Sequence, residues 1–491
     1  MADLTEISES SDSGESSRME ELFLRHALNG PLHAGDRLLA EHPQLRDRFA
    51  VQLVLGDRKA VESRLAEDSE LAVRPAGPRA RDPIVLLCFS LYQNARDPAG
   101  PGVEISLNDK SKDKSATGSG TPADFAAILE RLLQLGANPN AALPTGDDHA
   151  LPVLFAVLGH AYHPQAAELL IRAGAEVNDG ESLYHAAERA DSRGLALLLQ
   201  NGARLAGTNA LKRKLDFDHF ESFELILNEA PDLDHALEES PNDSGTSFTH
   251  AIRRMRDARY LKALLQAGAR IDARFQGHDA CALAAILGNE SAQEYLENLR
   301  GNSPHGDRSG DAKTLKGPRD LSDAEQALAA AVRGDRAAVE ELLASRPGLI
   351  AGLSEWDRTI HTELAKYDRR TAVRVLIESG LCEINTAGES GMTALHQAAW
   401  FGYADLLADL LVFQPDLRQE NMYGGTALET AIYASTHCTE DRASAADYPE
   451  CVRRLLSAAR NSGDATGLAF SEEQLSAASD AVAAVLRKHS G

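Results

Sequence analysis

Aromatic side chains are scarce in this 491-residue chain: Phe, Trp and Tyr make up 5% of it, and only two residues are Trp. Its apolar mass is Leu, Ala and Val, which suits thin helical layers better than a large α/β core. Cysteine is also sparse. Cys88, Cys281, Cys382, Cys438 and Cys451 are odd in number and mostly flanked by apolar residues. That argues against a disulfide framework and for buried thiols in a reducing, cytoplasmic setting. Basic residues are outnumbered, 50 against 74 acidic, for a formal net charge of −24. Such a chain is repelled by DNA, RNA and anionic membranes unless it carries a local basic face. No run approaches the ~18 apolar residues of a membrane-spanning helix. The first twenty residues, acidic and Ser-rich, have no apolar stretch of the kind a signal peptide needs, and are expected to be a disordered tail. The chain carries no P-loop, no dinucleotide Gly motif, no HExxH and no GxSxG, so the commoner catalytic signatures are missing. Arg far outnumbers Lys and Ala is abundant, which suggests a GC-rich bacterial source.

What is present is a period. Thr393-Ala394-Leu395 recurs as Thr426-Ala427-Leu428, 33 positions later. Ala330-Ala331, Gly334 and Leu342-Leu343 stand 68 positions before Ala398-Ala399, Gly402 and Leu410-Leu411, two periods of 34. A degraded copy lies between them, with Thr359, Leu364-Ala365, Val373 and Leu376-Ile377 in register. The N-terminal half repeats the ending of a helix. Leu132-Leu133 precede Gly136, Leu169-Leu170 precede Gly174, Leu198-Leu199 precede Gly202, and Leu264-Leu265 precede Gly268. A Gly just past a helical run is a C-terminal cap reached with positive φ. A further unit falls at 48–68, and a degenerate one near Phe223–Asn228. Ser322 with Glu325, and Ser471 with Gln474, predict capping boxes that open new helices. The second of these helices, near 471–488 with Lys488 in its last turn, is expected to cap the end of the chain.

The segments Thr393-Ala394-Leu395-His396-Gln397-Ala398-Ala399 and Asn178-Asp179-Gly180-Glu181-Ser182-Leu183-Tyr184-His185-Ala186-Ala187 resemble the ankyrin-repeat family, in particular its bacterial members. Ala394 stands where that family usually has Pro. The resemblance covers about 45–300 and 322–460. It implies an all-α ankyrin solenoid of stacked helix-turn-helix repeats with short β-like turns, in two arrays. The expected organisation is a tail over 1–20, a first array over 21–299 with a flexible insertion near 93–121, a linker over 300–320, a second array over 321–460 and a capping segment over 461–491.

The resemblance also implies a function: binding a protein partner, without catalysis. Residues aligned with the outward-facing positions of the family are Trp356, Tyr367, Met392, Trp400, Phe401, Met422, Tyr423 and Tyr433. Both tryptophans and three tyrosines of an aromatic-poor chain then share one face, and such rings are favoured at binding hot spots. Equivalent positions in the first array are Arg253 and Arg254, which with Lys212, Arg213 and Lys214 predict a secondary basic patch. Thr393 and His396 are read as structural ties between neighbouring repeats. His437, Cys438 and Cys451 match no zinc spacing, Cys88 lies in an apolar run, and Asp216 with Asp218 do not by themselves make a glycosidase pair. No cofactor or metal is expected. The expected protein is a monomeric, cytoplasmic scaffold or adaptor whose protein partner carries basic segments, with no nucleic acid or membrane as ligand. A host-directed effector or an enzyme regulator would use the same surface. An enzyme with an unrecognised site near 300–320 is a third reading.

Overall fold

The computed structural model describes residues 11–30, 32–94, 120–145, 149–229, 232–233, 245–301, 321–438, 444–461, 470, 474–475 and 478–490. The chain is all-α in class. Among the described residues, strands are confined to two antiparallel hairpins, Ala142–Pro144 with Ala150–Pro152 and Arg274–Phe275 with His278–Asp279. No described helix is long and apolar enough to cross a membrane.

Local chemistry explains where the helices start and stop. Ser322 and Glu325 form the expected capping box at Asp323–Val332: the Glu325 N–H donates to Ser322 Oγ at 3.2 Å, and the Ser322 N–H donates to the Glu325 carboxylate at 2.8 Å. Each bond satisfies an N–H that the first turn would leave without a partner. Gly136, Gly174, Gly202 and Gly268 have φ of 94°, 95°, 87° and 102°. A side chain at such a φ costs about 1 kcal/mol, which is why glycine ends these helices.

The chain divides into two compact units, Met1–Lys214 with Glu221–Ile226, and Leu215–Phe220 with Leu227–Gly491. In the first, helices form two rows. One row runs Phe49–Leu55, Pro83–Cys88, Val153–Phe155 and Ser182–Ala186, each packed on the next. The other runs Arg58–Glu67, Pro122–Gln134, Pro164–Arg172 and Arg193–Gln200. Pro83–Cys88 is buried throughout, whereas Pro164–Arg172 buries only Ala166, Ala167 and Leu170 and turns its charges outward. A helix apolar on every side belongs between layers, and an amphipathic one outside them.

The expected tail is in part a helix. Residues 1–10 lie outside the described residues, but Ser11–Asn29 is helical and buries Phe23, Leu24, Ala27 and Leu28. Those four recur at helical spacing, so the Ser-rich start leads straight into an amphipathic stretch. The insertion near 93–121 falls mostly outside the described residues.

In the second unit, Ser247–Arg253, Ala280–Leu287 and Asp323–Val332 pack in sequence, as do Ile360–Ala365, Ala394–Trp400 and Ala427–His437. A parallel series joins Arg370–Glu378, Ala404–Leu411, Tyr448–Asn461 and Asp480–Ser490. Residues 302–320, most of the expected linker, lie outside the described residues. The described residues on either side of that segment belong to one compact unit. Ala280–Leu287 packs directly on Asp323–Val332, whose Ala327, Leu328, Ala329, Ala330 and Ala331 are all buried. Small side chains let two helices approach closely, and the approach buries both faces. The division falls instead at 214–227. At the C-terminus the capping box at Ser471 lies partly outside the described residues. The last helix is Asp480–Ser490, with Val482, Ala483 and Leu486 buried and Lys488 in its last turn.

Candidate interaction surface

The clearest copy of the repeat shows how a turn and a helix are held. Thr393 caps Ala394–Trp400 by accepting the His396 N–H. His396 Nε2 lies 3.2 Å from the Gly425 carbonyl and Nδ1 lies 2.8 Å from Thr393 Oγ1. A carbonyl only accepts, so the proton is on Nε2 and the Thr393 hydroxyl donates to Nδ1. Burial lowers the affinity of this imidazole for a second proton. His396 therefore ties one turn to the next as a neutral ring. The turns also meet directly: the Met422 N–H donates to the Ser390 carbonyl at 3.0 Å. Gly391, with φ of 68°, leaves room for that approach, since a Cβ there would sit 3.0 Å from Met422 N.

This packing leaves the following turn tip outside. Tyr423 is 78% exposed and Met422 67%. On the helix that follows, Tyr433 is 51% exposed, and its ring stacks on His437 at 3.9 Å with 6° between planes. Trp400, half-buried, stacks on Tyr433 at 6.3 Å, and its carbonyl accepts the Tyr448 hydroxyl at 2.9 Å. Among the described residues six large apolar side chains are exposed, and four of them lie between 412 and 433: Val412, Met422, Tyr423 and Tyr433. Apolar exposure is thus concentrated in this part of the second unit rather than scattered.

The other aromatic positions do not join it. Phe401 is buried, at 3% exposure, with its ring 5.7 Å from Tyr403. It follows the last helical residue, where the turn folds the chain inward. Trp356 packs edge-on against Phe275 at 5.1 Å and sits 5.7 Å from His278. It serves contacts inside the unit. Tyr367 is half-buried with its hydroxyl 3.4 Å from the Arg253 carbonyl. Met392 is half-buried at the turn.

The expected basic patch is absent as a surface. Lys214 is fully buried and donates to the Arg189 carbonyl at 2.7 Å. Lys212 is buried too. Arg213 pairs with Glu188 at 2.6 Å and lies over the Tyr184 ring. Arg253 and Arg254 enter a buried ion cluster. Arg254 pairs with Asp216 at 2.7 Å, with Glu389 at 3.4 Å and with Glu363 at 3.7 Å. Arg253 reaches Glu363 at 3.7 Å and Glu389 at 3.8 Å, with its guanidinium over Phe275. Lys366 completes the set, 3.1 Å from Glu363 and 2.8 Å from Glu389. Three cations thus face three carboxylates. Burial alone would raise the Glu389 carboxyl, but Lys366, Arg254 and Arg253 hold it far below the usual range. Lys366 stays protonated for the converse reason: burial opposes its charge, and Glu363 and Glu389 more than restore it. His250 donates from Nε2 to Asp216 at 2.9 Å, and burial lowers its pKa.

A second ionic contact was not foreseen from the sequence. His278, at the hairpin Arg274–Phe275/His278–Asp279, has Nδ1 2.8 Å from Glu325 and Nε2 2.9 Å from Asp357. Burial opposes its charge, but the two carboxylates raise its pKa to about 9. An acid inside a predicted capping box, 47 positions from a His, gave no sequence signal that the two would meet.

Asp218, Cys451 and Cys88 are engaged in packing. Asp218 accepts the Tyr260 hydroxyl at 3.0 Å and pairs with Arg256. Cys451 is buried, and burial pushes its thiol up to about 12. Burial likewise raises the Cys88 thiol. Among the described residues no group of three or more His, Cys, Asp or Glu side chains is placed to hold a metal ion. No protein-family model matches the chain, and no curated protein matches it.

Proposed function

We propose that this chain is a non-catalytic scaffold of the ankyrin-repeat type that binds a protein partner through Met422, Tyr423 and Tyr433 in its second unit. The observation that carries the reading is the exposure of these three side chains in a chain with few aromatics. Rigid rings bury large area for little lost rotamer entropy, and exposed Tyr is favoured where binding energy concentrates. The turn tip that bears two of them is held by hydrogen bonds to Ser390 and His396, so little ordering entropy would oppose binding there. The partner we favour carries a basic segment, because a net charge of −24 attracts one at long range. Free cysteines at all five positions fit a cytoplasmic scaffold.

The experiment is affinity capture from native lysate with wild type beside a Tyr423→Ala/Tyr433→Ala variant. Both side chains are exposed, so the fold should be affected by no more than ~0.5 kcal/mol per substitution. Loss of one or more captured proteins, with an unchanged melting curve, is the expected result. Identical capture by the two proteins would remove this surface from consideration. For any partner found, affinity should fall between low and moderate salt, where the Debye length shortens from about 30 Å to about 8 Å. A salt-independent affinity would reject the electrostatic part alone.

A further inference from the structure

We propose that His163 is an acid-sensitive latch in the first unit: its neutral ring closes the start of helix Pro164–Arg172 onto helix Pro122–Gln134, and protonation releases that closure. The ring is buried. Its Nε2 lies 2.8 Å from the Pro122 carbonyl. Because a carbonyl only accepts, the ring proton is on Nε2. Nδ1 is then free to accept, and it takes the Ala166 N–H at 3.2 Å, an N–H shared with the His163 carbonyl at 2.9 Å. The imidazole does here what an Asp or Thr side chain does at other helix starts in this chain, such as Asp57 and Thr121.

Unlike a Thr cap, this one can be turned off by a proton. A second ring proton on Nδ1 would point N–H at N–H. It would also place a positive charge at a helix N-terminus, where the backbone dipoles already present one. A Thr hydroxyl could rotate to accommodate the change, as at His396, but the Ala166 amide cannot. Charged groups on the packed elements are engaged elsewhere. Asp124, in the first turn of Pro122–Gln134, accepts from the Thr121 N–H and hydroxyl. Glu168, on the helix that His163 caps, pairs with Arg172. On the preceding turn, His160 bonds the Leu28 carbonyl with Arg189 nearby. Burial is the main influence on the His163 ring and lowers its pKa, against smaller backbone effects.

The sign follows. The closed ring binds a proton less readily than the released one, so the closed form is fully favoured above the ordinary histidine range and loses ground as pH falls below it. For one histidine the open population rises by at most about 25-fold between pH 7 and pH 5.

Hydrogen exchange of the full chain, read by mass spectrometry at pH 7 and pH 5 and corrected for intrinsic rates, tests this. In wild type, protection of peptides covering 164–172 should drop about tenfold or more at pH 5. In His163→Asn, a non-titrating residue that can still accept at an N-cap, protection should be the same at both pH values. Wild-type protection that ignores pH, or a variant that loses it in acid as wild type does, would overturn the latch. A measurement needing no variant decides as well: an NMR titration in which the His163 ring of the folded chain protonates at or above the ordinary histidine value is incompatible with it.

Discussion

Replacing Glu363 by Gln should destabilise the second unit by about 3–5 kcal/mol, the cost typical of removing one partner from a buried ion pair. Glu363 is buried beside Lys366, Arg253 and Arg254. Without its charge, three cations face only Glu389 and Asp216. Both tryptophans, Trp356 and Trp400, lie in the second unit. Their fluorescence in a urea titration therefore reports on that unit alone, which matters because two compact units need not unfold together. The midpoint should fall with little change in slope. A Glu363→Gln/Lys366→Met variant restores the balance of charge, two cations against two carboxylates, and should recover part of the loss. A shift below about 0.5 kcal/mol in the single variant would mean that water or relaxation already screens the cluster.

The cluster need not make the unit more stable than an apolar core would. Well-packed apolar side chains of similar volume can hold such a site equally well. What matched charges add is discrimination. Arg253 and Arg254 come from one helix end, Glu363 and Lys366 from another helix and its cap, Glu389 from the next turn. A slipped pairing of these elements would bring like charges together or leave one buried alone. An apolar face would tolerate such a slip far better.

The same residues show what a sequence can and cannot reveal. The left-handed glycines, the Ser322–Glu325 capping box and the Thr393–His396 turn were legible, because each depends on residues within a few positions of one another. Phe401 is buried and not outward-facing, because it lies one residue beyond the helix Ala394–Trp400, where a single step of register changes the direction of a side chain. Alignment with the family's outward-facing positions puts Arg253 and Arg254 at the surface, whereas both side chains turn inward. Their partners lie 38 positions behind, at Asp216, and more than 100 positions ahead, at Glu363 and Glu389, and no local pattern links them. One clue was available. Glu363 and Lys366 flank Leu364-Ala365, in the register that buries Ala398-Ala399 one period later. Charges at core-facing positions require partners of opposite sign, and Arg253-Arg254 occupy the corresponding end of an earlier helix. For the surface itself, alignment with the family pattern implies outward positions for Met422, Tyr423 and Tyr433, and all three side chains are exposed. It could not separate them from Trp356, which long-range packing against Phe275 draws inward.

Raising the pH from 6 to 10 should weaken the second unit by about 2–3 kcal/mol through His278 alone. Its pKa in the folded chain is about 9, against an ordinary value near 6.5. The difference corresponds to about 3 kcal/mol at 1.36 kcal/mol per pH unit, and somewhat less once partial solvent screening is allowed for. Because the folded value is the higher one, this contribution is complete below about pH 6.5 and is lost as pH rises through about 9. Asp357 sets the acid limit. Burial would raise its carboxyl, but His278 and the Ser354 backbone and hydroxyl lower it, so its share is present above the ordinary carboxylate range and is lost as pH falls below it. The contact is therefore strongest between about pH 4 and pH 6.5. His278→Gln removes the titrating ring but leaves Glu325 and Asp357 buried. This variant should be weaker than wild type at pH 6 and should lack the alkaline decline. Urea midpoints at pH 6, 8 and 10, followed by the fluorescence of Trp356, 5.7 Å from the His278 ring, distinguish the cases. An alkaline decline of equal size in the variant would assign the effect to other groups. A flat profile in wild type would mean that the ring has no net preference for its proton in the folded chain, and that the two carboxylates are balanced by something other than His278.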